Sequence, residues 1–552
     1  MQVHAISSRR LRVPQLTALA LVSAALGAAP AFSQLRLLRI EGAVPGGSAF
    51  ISAGVGDVDG DGIADLAIGA ASDRTNGVYA GRLEIRSGRD GSILRTWLGA
   101  PGEGLGASVA GPGDVDRDGV PDIAAGSITA NYQGRNKAGT VTVFSGRTGA
   151  VLRVWGGTNA DDWLGSTLDI VGDLDRDGAL DLIAGAPQNG NPVGSYEAGY
   201  ALLLSPRQNR VLRTLVGSNS GDEFGNAAAG CGDVDMDGID DVIVGSPLET
   251  FRGDRGGCVR VFSGRTGAVL HVFTGRRGSD HYGIGVSGAG DVNGDGYADL
   301  LTGGIDMIYA NRSGEARLFS GRDGSLIRVI PGVANGSMFG RWVGPAGDFD
   351  GDGADDVWVG APMEMPKGYV RIYSGRTGAL LSEIAGNGGG FGAYGRNVGD
   401  LDGDGWEELA FGAPMEGGAG VVYVFSLRPT STFGLGCSTR RQKPELALSV
   451  ARIGSVCNVD IDARRPRQPV MLLLSPIPDR PLPIDNGCAL YVDPAQSFVV
   501  ANTLTAQRGE VRIPIAVPLD ARLVGVELAL QALIQDNARL ELSNGGLLEV
   551  QR

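Results

Sequence analysis

The chain is 552 residues long and contains 91 glycines, with 48 lysines and arginines against 62 aspartates and glutamates. Its net charge of −14 at pH 7 argues against nucleic acid as a partner, because nucleic acids are bound by clustered basic residues. The length is ample for a large core, and the glycines are too dispersed among apolar residues for a disordered polymer.

Residues 1–33 read as a secretory signal peptide. Three arginines precede an apolar run over residues 16–29, and small residues then predict cleavage near Ala31 or Ser33. The run is too short to cross a bilayer comfortably, and no later stretch approaches about 20 apolar residues. We therefore expect an exported protein without a membrane span, either secreted or associated with the cell surface.

A short acidic segment recurs seven times along the chain. Its first copy is "GDVDGDGIADLAIGA" at residues 56–70, and the first aspartates of successive copies are separated by 57, 59, 60, 58, 57 and 52 residues. Each later copy is preceded, nine residues earlier, by an apolar residue followed by glycine. A regular period of this size indicates an array of repeated supersecondary units.

Each period also contains a hairpin pattern, such as "VTVFSGRTGAVLRVW" from residue 141. Alternating apolar residues on both sides of a glycine-containing turn are typical of a β-hairpin. Together with a strand on each side of the acidic loop, this gives about four strands per period. Because one four-stranded unit cannot bury both of its faces alone, we predict an all-β fold in which residues 34–428 form a seven-bladed β-propeller.

The two ends of the predicted ring meet in one blade. The outer strand that follows the hairpin occurs six times, but the pattern breaks after residue 421, whereas residues 35–47 resemble the start of an outer strand. We therefore predict that Leu35 to Ile40 supplies the missing outer strand of the last blade.

The acidic loops have the composition of calcium sites. Numbered from its first aspartate, each loop has carboxylate or amide oxygens at positions 1, 3, 5 and 9 and glycine at position 6, and a backbone carbonyl at position 7 would complete a shell of oxygen ligands. A bound dication would offset the repulsion between the clustered aspartates. The predicted ligands are Asp57, Asp59, Asp61, Ile63 and Asp65; Asp114, Asp116, Asp118, Val120 and Asp122; Asp173, Asp175, Asp177, Ala179 and Asp181; Asp233, Asp235, Asp237, Ile239 and Asp241; Asp291, Asn293, Asp295, Tyr297 and Asp299; Asp348, Asp350, Asp352, Ala354 and Asp356; and Asp400, Asp402, Asp404, Trp406 and Glu408.

Other interpretations of the loop are weaker. An EF-hand needs an acidic residue at position 12 and flanking helices, whereas all seven copies have a residue other than Asp or Glu there and are followed by strand-like runs. Magnesium prefers stricter octahedral geometry and keeps several waters, and transition metals favour His or Cys ligands, which these loops lack. A single copy could be an ordinary turn, because Asp and Gly are turn residues, but seven registered copies argue against that interpretation.

The combined pattern resembles a known repeat. In "FGNAAAGCGDVDMDGIDDVIVGSP" from residue 224, an "FG" pair, a "GD" loop and a "GAP"-like end resemble the FG-GAP repeats of the integrin α-subunit head, which is a seven-bladed β-propeller. The resemblance covers residues 35 to about 428 and implies calcium ions on the propeller rim. Integrin α-chains carry metal loops in only some blades, whereas all seven copies qualify here. The resemblance does not extend to integrin signalling, because this sequence has no transmembrane segment or leg domains.

Residues 429–552 lack the acidic loop. Their short apolar or alternating runs, separated by Pro, Gly and Asn, predict a small β-sandwich-like module. Such a module is similar to those appended to exported bacterial repeat proteins, which implies attachment or sorting.

Two functions remain open, and both are binding functions. The first is an extracellular calcium-stabilised scaffold that binds a protein partner or a cell surface, and the second is a lectin-like propeller that binds glycans. We do not expect an enzyme, because the sequence has no GxSxG, HExxH or P-loop motif and the carboxylates are better explained as metal ligands.

Overall fold

The computed structural model describes residues 33–42, 51–188, 198–250, 255–276, 280–305, 313–401 and 407–428, followed by the strands of the C-terminal region. Predictions for the signal peptide fall on residues 1–32, which lie outside the described residues. Within the described ranges, no helix has both the length and the apolar content that crossing a bilayer requires.

The propeller consists of seven four-stranded antiparallel sheets. Blade 1 contains β2 (Ile51–Gly56), β3 (Asp65–Gly69), β4 (Arg82–Arg86) and β5 (Ile93–Leu98). Blade 2 contains β6 (Leu105–Gly113), β7 (Asp122–Ser127), β8 (Thr140–Phe144) and β9 (Val151–Gly156). Blade 3 contains β10 (Thr167–Ile170), β11 (Leu182–Ala186), β12 (Tyr200–Ser205) and β13 (Arg210–Val216).

The remaining blades repeat this order. Blade 4 contains β14 (Ala227–Gly232), β15 (Asp241–Ser246), β16 (Cys258–Phe262) and β17 (Val269–Thr274). Blade 5 contains β18 (Gly285–Gly290), β19 (Asp299–Gly304), β20 (Glu315–Phe319) and β21 (Leu326–Pro331). Blade 6 contains β22 (Val343–Gly347), β23 (Asp356–Ala361), β24 (Tyr369–Tyr373) and β25 (Leu380–Ala385). Blade 7 contains β26 (Ala393–Asn397), β27 (Leu409–Ala413), a short 3₁₀ helix (Glu416–Gly418) and β28 (Val421–Arg428).

The fourth strand of blade 7 comes from the N-terminal end of the propeller. Strand β1 (Ser33–Glu41) pairs antiparallel with β28, so that Leu38 lies opposite Val424 and Ile40 opposite Val422. This confirms both the predicted seven-bladed fold and the predicted role of residues 35–40. Because the first and last parts of the ring share one sheet, the ring cannot open without breaking that sheet.

The core lies between the blades. Seven clusters of buried apolar side chains each combine residues of two adjacent blades, and one of them joins Leu38 and Ile40 of blade 7 to Leu66 and Ile68 of blade 1. The second strand of each blade is buried on both faces, which explains why the residues after its position-9 carboxylate, such as "LAIG" in blade 1, are almost continuously apolar rather than alternating.

Two sets of recurring glycines allow the blades to approach closely. A Cβ atom added to Gly185 of blade 3 would lie 2.0 Å from the carbonyl oxygen of Gly225, which is too close for any side chain. Gly225 is the glycine of the "FG" pair that precedes blade 4. The same approach recurs between Gly126 and Gly165 at 2.1 Å, and between Gly245 and Gly283 at 1.9 Å. The glycines of the "FG" and "GAP" motifs therefore lie where the backbones of neighbouring blades are in contact and leave no room for a side chain.

The outer strands are also hydrogen-bonded to the next blade. In blade 1, the Arg95 guanidinium donates to the Arg147 carbonyl at 2.9 Å, and Trp97 Nε1 donates to the Gly149 carbonyl at 2.9 Å. The same strand position donates to the next hairpin turn in later blades: Arg153 to Pro206 O, Arg213 to Gly264 O, His271 to Gly321 O and Arg328 to Arg376 O. These bonds link blades 1 to 6 in succession at the outer edge.

A cavity of about 1260 Å³ runs along the propeller axis and is lined by the inner strands. It is crossed by one ion pair, in which Arg396 of blade 7 meets Asp169 of blade 3 at 2.5 Å. Arg396 also donates to the Leu168 carbonyl at 3.1 Å. Blades on opposite sides of the ring are therefore in direct contact.

The C-terminal region contains eleven further strands. They are β29 (Thr432–Phe433), β30 (Glu445–Leu448), β31 (Ala451–Arg452), β32 (Val456–Asp462), β33 (Pro469–Pro476), β34 (Leu482–Ile484), β35 (Cys488–Leu490), β36 (Phe498–Leu504), β37 (Glu510–Ala516), β38 (Glu527–Asp536) and β39 (Arg539–Gln551). Their side chains lie outside the described residues, so the β-sandwich remains a prediction.

The glycine contacts make one test of the packing between blades. Gly185→Ala places a methyl group against the Gly225 carbonyl oxygen, which only a backbone shift can relieve. We expect the free energy of unfolding to fall by about 1–3 kcal/mol or more, measured by denaturant titration. The exposed Gln208→Ala in the same blade is the control and should leave stability within about 0.5 kcal/mol of the parent. Equal stability of the two variants would contradict this account of the interface.

Candidate metal sites

The acidic loops connect the innermost strand of each blade to its second strand, so all of them lie at one end of the propeller. Two pairs of neighbouring loops are hydrogen-bonded to one another. Arg176 of loop 3 donates to the Gly238 carbonyl of loop 4 at 3.2 Å, and the Asp291 N–H of loop 5 donates to Asp355 of loop 6 at 2.7 Å. The loops therefore form an acidic rim in which these two pairs are directly linked.

The first carboxylate of each loop organises its backbone. In loop 4, Asp233 accepts the N–H groups of Asp237 at 3.0 Å and Gly238 at 2.8 Å. The same two bonds occur in loops 1, 2, 3, 5 and 6. Gly238 has φ +80°, and the glycine at this position has positive φ in all six loops, as predicted for position 6.

The carboxylate at position 9 is buried at the base of the loop. In loop 4, Asp241 is 0% exposed and accepts the Val234 N–H at 2.9 Å on Oδ2 and the Gly264 N–H at 2.9 Å on Oδ1. Gly264 belongs to the hairpin turn of the same blade. Asp65, Asp122, Asp299 and Asp356 make the equivalent pair of bonds.

The structure brings together the carboxylates of positions 1, 3 and 9. In four loops, one oxygen from each of the three lies within 4.8 Å of the others, and in loop 1 the three are positions 1, 3 and 5. The groups are Asp114, Asp116 and Asp122; Asp173, Asp175 and Asp181; Asp233, Asp235 and Asp241; Asp348, Asp350 and Asp356; and Asp57, Asp59 and Asp61. These oxygens converge as the ligands of a hard cation do.

Position 5 has a second partner that the loop sequence does not reveal. The Asp237 carboxylate pairs with the Arg265 guanidinium at 2.7 Å, and its Oδ1 accepts the N–H of Ile239 at position 7. The pairs Asp61–Arg89, Asp118–Arg147 and Asp352–Arg376 are equivalent. The arginine belongs to the "SGR" of the hairpin turn, and its recurrence in five of the hairpin sequences was the available signal.

Burial raises the pKa of the position-9 carboxyls. Desolvation is the largest cause, and neighbouring aspartates raise the pKa further, while backbone N–H bonds partly oppose the shift. The pKa is about 6 for Asp122, Asp241 and Asp299 and about 7 for Asp181 and Asp356, against an ordinary value of 3.8. The loops thus hold clustered negative charge at a cost, which a bound cation would offset.

Loops 5 and 7 depart from the common set. In loop 5, Asn293 Nδ2 donates to Asp299 Oδ1 at 3.3 Å. In loop 7, Asp402, Asp404 and Trp406 lie outside the described residues. Glu408 is 0% exposed and accepts the Leu401 N–H at 2.5 Å, so it takes the structural place of the position-9 aspartates.

Loop 3 differs in its hairpin contact. Pro206 stands where other blades have the glycine whose N–H reaches position 9, and proline has no N–H to donate. Oδ1 of Asp181 is buried without a hydrogen-bond partner, as is Oδ1 of Asp175. Two orphaned carboxylate oxygens within one cluster fit a site built for a cation rather than an ordinary turn.

Comparisons with known proteins agree with the fold. The sequence-family model of the FG-GAP repeat matches residues 49–83, 224–270, 339–380 and 397–425 of this chain. The chain is 28% identical to integrin alpha-4 of Xenopus laevis over 246 residues, which are 41% of this chain and 23% of that protein. It is 31% identical to integrin alpha-2 of Mus musculus over 211 residues, which are 35% of this chain and 17% of that protein.

The chain spans about a fifth of the length of these curated relatives. Among solved structures, a rhamnogalacturonan lyase, YesW, aligns over 71% of this chain and 75% of its own, with 18% sequence identity and a TM-score of 0.42. A likeness at this level says nothing about activity. The chain forms a seven-bladed β-propeller, contains segments that match the FG-GAP repeat and is similar to integrin alpha subunits.

Proposed function

We propose that the chain is an exported, calcium-binding FG-GAP propeller that acts as an extracellular scaffold for a protein partner or for cell adhesion. The observation that carries the calcium proposal is the convergence of three carboxylates within 4.8 Å in five loops at one end of the ring. The donors are all oxygen atoms, and calcium takes six to eight oxygen ligands in flexible geometry. The ions are structural, and up to seven would be bound.

The ligands at each site would be positions 1, 3, 5 and 9 with the position-7 carbonyl. In loops 2, 3, 4 and 6, carboxylates 1, 3 and 9 need little rearrangement because they already lie close to one another. The position-5 carboxylate would have to exchange its arginine partner for the ion or bind both. The bound ion would neutralise the rim and hold the innermost strand to the second strand of its blade.

The proposed role is binding rather than catalysis. The acidic groups on the rim are arranged alike from blade to blade, whereas an acid/base pair requires two carboxyls in contrasting environments. Export would bring the loops into a calcium-rich medium, where sites of the affinity common in extracellular modules are filled. The resemblance to integrin alpha subunits favours a protein partner over a glycan.

Calcium should raise the melting temperature of the full chain. An ion that binds only the folded state at about ten times its Kd contributes about 1.4 kcal/mol per site, and several sites act together. We expect melting in about 10 mM calcium to occur several degrees above melting in chelator, with sodium chloride of equal ionic strength as the control. Identical melting curves would contradict calcium binding.

The calcium effect should depend on pH. The folded-state pKa of the position-9 carboxyls lies at about 6 to 7, above the ordinary 3.8. In the metal-free protein, protonation of these carboxyls therefore stabilises the folded state. This stabilisation is fully present below pH 3.8 and is lost as pH rises through 6 to 7. Calcium requires the ionised form. The difference in melting temperature with and without calcium should therefore be largest near about pH 8 and shrink towards about pH 5. A constant difference would argue against these carboxyls as ligands.

The class of partner is tested by capture. Immobilised full chain, loaded with calcium, is offered extracellular proteins and, separately, a glycan array. Saturable, calcium-dependent binding of a protein, unaffected by free sugars, is the expected result. Binding that is saturable and competed by sugars would replace the protein scaffold with the glycan-binding alternative.

A further inference from the structure

The third acidic loop lacks three backbone bonds that loops 1, 2, 4 and 6 make. Two lie within the loop, where the position-5 N–H donates to Oδ1 of position 3 and the position-3 N–H donates to Oδ2 of position 9. The third comes from the hairpin turn. In blades 1, 2, 4, 5 and 6, the glycine of the hairpin turn donates its N–H to Oδ1 of the position-9 aspartate at distances of 3.1, 3.0, 2.9, 3.0 and 3.0 Å. Pro206 occupies this place in blade 3 and has no N–H. The absence of the bond to Asp181 Oδ1 is set by the hairpin, because the "DLDRDGALD" sequence of the loop follows the common pattern.

The consequence is an incompletely satisfied carboxylate at a fully buried position. Asp181 is 0% exposed, its Oδ2 accepts the Leu174 N–H at 2.9 Å, and its Oδ1 has no hydrogen-bond partner. Oδ1 of Asp175 is also buried and without a partner, in a side chain that is 8% exposed. Its missing donor is within the loop, because the position-5 N–H that reaches this oxygen in loops 1, 2, 4 and 6 does not do so here. Among the six loops described in full, loop 3 alone has such orphaned carboxylate oxygens.

The orphaned oxygens belong to the cluster formed by Asp173, Asp175 and Asp181. A buried carboxylate oxygen without a donor raises the free energy of the metal-free state, and a cation removes that penalty on binding. In the other loops a backbone N–H already reduces the cost of burying this carboxylate oxygen, so ion binding lowers the free energy by less. Loop 3 therefore gains the most from the same ion.

We propose that Pro206 makes loop 3 the calcium site of highest affinity among the six loops described in full, so that it fills before the other five. This inference rests on the proposed calcium binding. Pro206 acts as a positioning residue. It does not contact the ion, but it lacks the N–H that donates to Oδ1 of the position-9 aspartate in the other blades. Because hydrogen bonds to charged groups are strong, we expect the third site to bind calcium about tenfold or more tightly than the rest.

The test is a calorimetric calcium titration of the chelator-treated full chain at about pH 8, above the pKa of about 7 of Asp181. The parent should show one tight site followed by weaker sites, and native mass spectrometry should count the ions at each stage. Pro206→Ala restores the N–H and keeps a Cβ, so its tight site should weaken about tenfold and merge with the others while the total number of ions is unchanged. Pro206→Gly, which reproduces the turn of the other blades, should behave in the same way.

Two further variants separate the cause from general damage. Gln208→Ala changes an exposed side chain of the same turn and should titrate like the parent. Asp181→Asn should remove the tight transition and lower the ion count by one. A parent that binds several ions with one common affinity, or a Pro206→Ala variant that keeps its tight site, would overturn the inference and leave the proposed calcium binding intact. A parent that binds no calcium would overturn both.

Discussion

The structure of each blade depends on one buried carboxylate. At the base of the acidic loop, the position-9 aspartate accepts N–H groups from its own loop and, in five blades, from the hairpin turn that follows two strands later, as Asp241 does with Val234 and Gly264. It therefore ties the innermost strand to the outer half of the sheet. The bonds offset the cost of burying the anion only in part, since the pKa stays well above its ordinary value. The base of each such loop therefore keeps negative charge that its hydrogen bonds do not fully compensate, and this arrangement recurs around the rim.

The blades are joined by two kinds of contact. One requires glycine near the inner strands, and the other requires a long polar side chain on the outer strand. Gly185 and Gly225 bring the backbones of two blades together near the inner strands, while Arg213 reaches the next hairpin turn from the outer strand. Since β1 completes the last blade and a buried apolar cluster joins that blade to blade 1, the interfaces between blades close into a ring.

The sequence predicted the features that are local or periodic. Repeat spacing gave the number of blades, the hairpin pattern gave the strands, and the broken pattern after residue 421 gave the strand that closes the ring. Contacts between distant segments were not predictable in this way. The pair of Arg396 and Asp169 crosses the axis between residues 227 positions apart, and no spacing rule selects them. The arginines of the hairpin turns recur visibly, but only the fold places them on the position-5 carboxylates.

A repeated motif therefore identifies the ligands of a site without fixing its properties. Loops 3 and 4 carry the same carboxylates at positions 1, 3, 5 and 9, yet Asp181 lacks the hairpin N–H that Asp241 accepts from Gly264, because Pro206 stands at the equivalent position. The residue that makes the difference lies 25 positions after Asp181, in a turn that the motif does not include. If the loops bind calcium as proposed, a substitution in the hairpin can alter a site while its carboxylates stay constant. A ring of nominally equal loops can in this way acquire sites that fill in sequence, with the first ion stabilising blade 3, whose inner strand also carries the contact across the axis.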